Sequence, residues 1–130
     1  MIETEHRPHD YEVSGEIAPE VLSQRLLQLP EEIRAQEAVN QERLKDFRQA
    51  ELDLDRVNAE EYMNARATDY TGADAKMIAV KKTQVQRAQV VIAESAYEAA
   101  GVVLNKLERE FVALRKVASI RSDDIRMAGK

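Results

Sequence analysis

The fold is decided by the stretch Asn64-Ala65-Arg66-Ala67-Thr68-Asp69-Tyr70-Thr71-Gly72-Ala73-Asp74-Ala75-Lys76, which separates two long amphipathic helical patterns. The stretch contains one of the four glycines of the chain and several turn-forming residues. Each flanking pattern continues for about 35 to 45 residues, well beyond the mean helix length of about 12 residues. The sequence therefore predicts an all-α fold, a long antiparallel helical hairpin, with this tip stretch (residues 64–76) at its turn.

Two prolines divide the pattern that precedes the tip stretch. Pro19 suits the first position of a helix, and the residue before Pro30 is disfavoured in helical geometry, so a short N-terminal helix is predicted to end at Leu29. Pro30 then begins the first long arm of the hairpin. Its narrow apolar stripe is typical of a coiled-coil-like seam. The stripe consists of Ile33, Leu44, Phe47, Ala50, Leu54, Val57, Tyr62 and Ala65.

The second arm is predicted over residues 75–120, followed by a short terminal helix capped by Ser122 or by a frayed end. Between residues 88 and 104 its apolar residues spread well beyond one stripe. A helix that is apolar on more than one side is buried on more than one side. Other copies of the same chain are the simplest partners that could bury these extra apolar residues, so we expect a homo-oligomer. The residues expected to drive assembly are Val91, Ile92, Ala96, Ala99, Val103, Leu107, Phe111 and Leu114.

The chain length of 130 residues fits one domain. Residues 1–17 are polar and acidic without periodicity and predict a flexible arm, and residues 18–130 form the helical domain. His6 and His9 lie three apart in that arm, and we expect no metal site from this spacing alone. There is no cysteine, no signal-peptide pattern and no apolar run long enough to span a membrane. The sequence thus favours a cytoplasmic protein without membrane association.

The charge pattern changes sign at the tip stretch. Residues 1–63 carry 16 acids and 7 bases, a net charge of −9, and residues 64–130 carry 8 acids and 12 bases, a net charge of +4. Most of these charges fit solvated helix faces. The total of −5 argues against a general duplex-DNA binder, but it leaves room for a local basic site.

No enzyme signature and no cofactor motif is present, since nucleotide-binding glycine loops and nucleophile–base combinations are missing. The tip is the more informative region, because the hairpin brings basic residues from both arms together near Tyr70. Lysine and arginine neutralise phosphates, and aromatic rings stack on any base, which is the chemistry of sequence-neutral single-strand binding. An exposed turn kept soluble by its lysines is the simpler alternative. The candidate phosphate-contacting residues are Arg66, Lys76, Lys81, Lys82 and Arg87.

Part of the sequence resembles the UvsY family of phage recombination mediators. The segment Asn64-Ala65-Arg66-Ala67-Thr68-Asp69-Tyr70-Thr71-Gly72 is similar to that family's Lys-Ala-Arg-Leu segment, which is followed by tyrosines and Ser-Gly. Lys81-Lys82, Tyr97, Ala113-Leu114-Arg115-Lys116, Ile120-Arg121 and the closing Ala128-Gly129-Lys130 add to the resemblance. The likeness covers roughly residues 26 to 130.

The resemblance implies a ring-shaped homo-oligomer that binds single-stranded DNA and helps a RecA-like recombinase replace single-strand-binding protein, in recombination and repair. It implies that Arg66 contacts DNA. The motif lysine corresponds to Asn64, which carries no charge. A phage-encoded protein of this kind would act in the host cytoplasm. The alternative is a non-enzymatic coiled-coil adaptor, assembly factor or inhibitor that binds protein and not DNA. A membrane-surface helix fits poorly, because no strongly basic face flanks the apolar arm.

Overall fold

The computed structural model describes residues 17–128, and all the regular secondary structure in that range is helical. Helix α1 is Pro19–Ala67, α2 is Gly72–Lys82 and α3 is Gln84–Ala128. The predicted all-α class is therefore confirmed. None of these three helices is long and apolar enough to cross a membrane. The predicted arm, with His6 and His9, lies outside the described residues except for Ile17, which is buried.

The internal contacts divide the chain into two units. Unit 1 contains the chain up to Glu37 together with Val102–Lys130, and unit 2 is Ala38–Gly101. Each unit contains a part of α1 and a part of α3, and α2 belongs to unit 2.

The core of unit 1 is aliphatic and is built along one seam of each helix. The buried residues Leu22 and Leu29 of α1 meet Leu114 of α3, and Ile17 joins them. The participating residues of α3 recur at steps of four and three, which is the spacing of a coiled-coil seam. Leu26, Leu107, Phe111, Val117 and Ala118 pack against this cluster.

Helix α1 passes through Pro30 without a break, so the predicted separate N-terminal helix is wrong. The proline ring removes one backbone N–H donor and disfavours helix at Leu29. Tertiary packing outweighs this local preference, because the Leu29 side chain is fully buried in the core of unit 1. An ion pair between Arg25 Nη1 and Glu32 Oε2 at 2.5 Å also joins the two sides of the proline.

A buried ion pair links α1 to α3 in unit 1. Arg25 donates from Nε to Glu110 Oε2 at 2.6 Å and from Nη2 to Glu110 Oε1 at 2.8 Å, a bidentate arrangement. The Glu110 side chain is only 4% exposed. Hydrogen bonding to Glu110, opposed by burial and reinforced by Glu32, raises the pKa of Arg25 above its ordinary value. The guanidinium is therefore held charged beside a carboxylate that water hardly reaches.

In unit 2, α1 and α3 pack in antiparallel directions, as the hairpin prediction requires. The rings of Phe47 and Tyr97 stack with centroids 6.2 Å apart. Closer to the tip, Arg87 Nη2 donates to Asn58 Oδ1 at 3.2 Å. A later residue of α1 therefore contacts an earlier residue of α3, as in an antiparallel pair.

The predicted second arm is interrupted at Thr83, which separates α2 from α3. Thr83 is fully buried, and its hydroxyl donates to Ala79 O at 2.7 Å. That carbonyl is the one that the Thr83 N–H would bond in a continuous α-helix, so the side chain competes with the backbone. The same hydroxyl accepts from Arg87 Nε at 3.0 Å. At the other end, α3 continues past the predicted end at Ile120 to Ala128.

Replacing the buried carboxylate should destabilise the protein much more than replacing an exposed one. Glu110→Gln leaves the Arg25 guanidinium without its buried counter-charge, so we expect a loss of about 2–4 kcal/mol in the free energy of unfolding. The matched control is Glu60→Gln, which removes the partner of an exposed i,i+4 ion pair with Arg56 and should cost less than about 0.5 kcal/mol. Urea unfolding followed by circular dichroism measures both. Equal effects would show that the buried pair contributes no more than a surface pair.

Candidate nucleic-acid interface at the tip

The end of α1 is closed by a hydrogen-bonded C-terminal cap. Asp69 N–H donates to Arg66 O at 3.1 Å and Tyr70 N–H donates to Ala65 O at 3.3 Å, which is the bond pattern of a Schellman motif. Asp69 has φ of 68°, in the left-handed region. Aspartate tolerates this conformation better than most residues other than glycine. The chain therefore reverses at Asp69 and not at the nearby Gly72.

The start of α2 is fixed by Thr71, which has extended backbone geometry and caps the helix. Its Oγ1 accepts from Asp74 N–H at 3.2 Å, and its carbonyl accepts from Ala75 N–H at 2.8 Å. A threonine at this position satisfies one of the N–H groups that the helix itself leaves unpaired. Two caps thus enclose a connection of only four residues, Thr68 to Thr71.

Small side chains let α2 lie close to the rest of unit 2. Ala65 at the end of α1 and Ala75 and Ala79 of α2 are all buried. Because an alanine occupies little space, the backbones can approach closely, and the turn can remain short. The tip thus combines a short connection with small buried residues on both helices.

The tip carries a groove that combines two lysines with an aromatic ring. Its volume is about 400 Å³. Lys81 and Lys82 contribute from the end of α2, and Tyr70 contributes a ring that is 48% exposed. Four of the seven predicted DNA-contacting residues are therefore brought together. The lining residues are Asn64, Ala65, Thr68, Tyr70, Ile78, Lys81 and Lys82.

Lys81 and Lys82 make the α2 side of the tip groove positive, and Glu61 of α1 offsets part of that charge. Lys82 Nζ lies 4.0 Å from Glu61 Oε1, at the limit of an ion pair, and the lysine remains mostly exposed. Exposed pairs of this kind are weak, about 0–1 kcal/mol. The Lys82 ammonium can therefore exchange Glu61 for a phosphate at little cost.

Arg66 is exposed beside the turn, and its side chain hydrogen-bonds to the backbone of the turn. Its Nη1 donates to Tyr70 O at 3.1 Å. A guanidinium has five N–H donors, so this bond to the Tyr70 carbonyl occupies one of them and leaves the others available. Arg66 does not line the tip groove itself.

Two further predicted residues lie apart from the tip groove. Lys76 is exposed on α2 and is absent from the groove lining. Arg87 is half-buried and bonds Thr83 and Asn58 of its own chain. Its guanidinium therefore positions the start of α3 against α1, a role that the charge pattern of the sequence does not suggest.

The lining residues that sequence reasoning missed are uncharged. Thr68 donates from Oγ1 to Ala65 O at 2.9 Å, and Ile78 forms part of the apolar wall. The only available signal for Ile78 is its helical spacing from Lys81 and Lys82, which places all three near one side of α2. Glu61 was also missed, since its proximity to Lys82 depends on the register between α1 and α2.

The predicted oligomerisation residues fall into two groups. In unit 2, Val91, Ile92 and Ala99 are exposed and Ala96 is half-buried; in unit 1, Val103 is exposed. By contrast, Leu114 is buried and Leu107 and Phe111 pack against it in the core of unit 1. These last three therefore contribute to the core of their own chain, in which Leu107 and Phe111 are only partly buried.

Within residues 17–128 no cluster of three or more His, Cys, Asp or Glu side chains is arranged to hold a metal ion. Comparison of the chain with protein-family models, with curated proteins and with solved structures finds no match.

Proposed function

We propose that this protein is a recombination mediator without catalytic activity, which binds single-stranded DNA at the tip groove and acts as a homo-oligomer. In this role it helps to load a RecA-like recombinase in place of single-strand-binding protein. The proposal about DNA is carried by one observation, the convergence of Lys81, Lys82 and Tyr70 on the same groove. The mediator role itself comes from the sequence resemblance to the UvsY family.

The chemistry of the tip groove suits a single strand. The two ammonium groups provide phosphate contacts, and Arg66 adds a third cation at the turn. The exposed Tyr70 ring provides a stacking surface, which is worth about 1–3 kcal/mol per base and tolerates any base. A stacked base must be unpaired, so the arrangement favours a single strand over a duplex. Asn64 adds a neutral amide to the lining.

Assembly into a homo-oligomer would place several copies of this weak DNA-binding site on one particle. In unit 2, Ile92 of α3 is 67% exposed, and it lines a second groove with Arg43, Asp46 and Ala96. Val91 beside it is also largely exposed. Burial of such side chains in a contact between copies would contribute about 1.5–3 kcal/mol each. Several tips engaged on one strand bind with far higher avidity than one, and a ring is one arrangement that presents them together.

A coiled-coil adaptor or inhibitor is the second candidate, and the same exposed Val91 and Ile92 favour it. An adaptor would use this surface to bind a different protein, and its lysines would serve solubility alone. The two candidates differ in whether the tip has measurable affinity for single-stranded DNA.

Removing the groove lysines should weaken DNA binding and flatten its salt dependence. For Lys81→Ala with Lys82→Ala, fluorescence anisotropy with a labelled thymidine oligonucleotide should show weaker binding at low salt. The slope of log K against log salt should fall by about 1.4, since each lost phosphate contact accounts for about 0.7 on a single strand.

The control is Lys45→Ala with Arg48→Ala, which removes the same charge from exposed positions of α1 within unit 2. This control should retain the wild-type slope. Absence of binding by the wild-type chain at low salt would exclude the tip as a DNA site and favour the adaptor.

Restoring the lysine of the resembled motif should strengthen DNA binding. Asn64 lines the tip groove, so Asn64→Lys places a third ammonium group there and should steepen the salt slope by about 0.7. The isosteric control Asn64→Asp should weaken binding, because it adds a negative charge to the same place. Titrations of both variants at several salt concentrations give the slopes. An unchanged affinity in both would show that DNA does not approach Asn64.

A charge at the exposed apolar surface of unit 2 should disrupt the oligomer. Ile92→Glu changes a side chain that has few contacts within its own chain, so helix content should persist while the mass in sedimentation equilibrium falls. Gln41→Glu introduces a charge at an exposed position of α1 and should leave the mass unchanged. A wild-type mass equal to one chain would contradict the proposed assembly.

A further inference from the structure

The seam that packs α3 against α1 in unit 1 is longer than the part that α1 covers. Leu114 and Ala118 of α3 belong to this core and lie one turn apart. The three-and-four spacing of the seam continues from them to Arg121 and Ile125. Ile125 is nevertheless 73% exposed, and α1 begins only at Pro19. The apolar seam of α3 therefore ends on an exposed side chain.

A groove of about 460 Å³ lies at this end of the seam. Ile17, at the edge of the groove, is only 8% exposed because its side chain joins the core of unit 1. The chain that precedes Ile17 therefore leaves the core beside Ile125. The residues that line this seam groove are Ile17, Ala18, Pro19, Arg121, Asp124 and Ile125.

The residues just before α1 have the pattern of a segment that packs on one side. Residues 1–17 as a whole lack a period, but in residues 11–17 Tyr11, Val13 and Ile17 occupy alternate positions with Gly15. In an extended chain every second side chain points to the same side. Val13 then shares the side of the buried Ile17, and the polar residues between them lie on the opposite side.

The distance also suits this segment. The four residues from Val13 to Ile17 span at most about 14 Å when fully extended. Because Ile17 and Ile125 line the same groove, Val13 has sufficient reach to contact Ile125. All of these residues belong to unit 1.

The charges of the two partners are opposite. Residues 10–16 carry three acids and no base, a net charge of −3. Residues 115–128 of α3 carry four bases and two acids, a net charge of +2. Attraction between them favours the contact and weakens as salt rises.

We propose that residues 11–16 bind along the end of α3 in their own chain, with Val13 packed on Ile125 in the seam groove. The segment thereby continues the α1–α3 seam beyond the start of α1 and covers the last two turns of α3. This proposal concerns unit 1 alone and does not depend on DNA binding at the tip.

Disulfide formation between introduced cysteines tests the contact in the full chain, which has no cysteine of its own. We expect Val13→Cys with Ile125→Cys to form a disulfide within one chain on mild oxidation, since packed side chains meet the distance that this bond requires. The linked peptides are quantified by mass spectrometry after proteolysis without reduction. Rates are normalised to the alkylation rate of each single-cysteine variant.

The matched control is Val13→Cys with Ile120→Cys. Ile120 is 57% exposed and lies on the same part of α3, but five helical residues turn it about 140° away from Ile125. The Ile125 pair should form its disulfide about tenfold faster than this control. Equal rates would overturn the proposal, because they would show a segment without a preferred side of α3.

Isotope labelling separates a contact within one chain from a contact between copies. ¹⁵N-labelled and unlabelled chains, both carrying Val13→Cys with Ile125→Cys, are mixed before oxidation. Linked peptides that are wholly labelled or wholly unlabelled support the proposal. Predominantly hybrid pairs would assign the seam groove to the segment of a neighbouring copy and overturn it.

Hydrogen exchange provides a second measurement that needs no cysteine. Val13→Ser should accelerate amide exchange in residues 121–128 about threefold or more, because these turns lose their cover. Ser14→Ala changes the neighbouring side chain on the opposite side and should leave exchange there unchanged. Exchange in residues 121–128 that is insensitive to Val13→Ser would also overturn the proposal.

Discussion

Burial of three alanines near the turn is the constraint on which the short tip depends. Ala65, Ala75 and Ala79 are buried where the end of α1 meets α2. Their small size lets the two helices approach and keeps the connection short between the cap at Asp69 and the cap at Thr71. On α2, alanines occupy the buried positions, and the larger apolar side chains lie elsewhere on the helix. Ile78 therefore lies at the groove, and Met77 and Val80 face solvent.

This arrangement gives α2 two different surfaces. On one side, Lys81 and Lys82 meet Tyr70 in the tip groove, whose chemistry suits phosphates and an unpaired base. On the other, Met77 and Val80 are exposed on the same helix as Lys76 and Lys81. Lys81 is common to both, so a ligand on one surface changes the charge available to the other.

Some of this architecture could be predicted from the sequence, and the reasons for the remainder are physical. Helical periodicity and the turn residues of the tip stretch were sufficient for the all-α class and for the position of the turn. The break at Pro30 was predicted wrongly, because the burial of Leu29 outweighs the local preference against helix before a proline. The helix interruption at Thr83 could not be predicted from the sequence, because it depends on the burial of Thr83 and on its contact with Arg87. For the same reason, Arg87 looked like a phosphate ligand although it bonds Asn58.

The central claim, that single-stranded DNA binds at the tip groove with a base against Tyr70, is tested most directly by photocrosslinking. The full chain is irradiated with an oligonucleotide that contains 5-iododeoxyuridine, and the crosslinked residue is identified by mass spectrometry. Stacking places the iodinated base against the aromatic ring, so the account predicts a crosslink at Tyr70 that is lost in Tyr70→Ala. Crosslinks confined to residues outside the tip, or unchanged in the Tyr70→Ala chain, would contradict it.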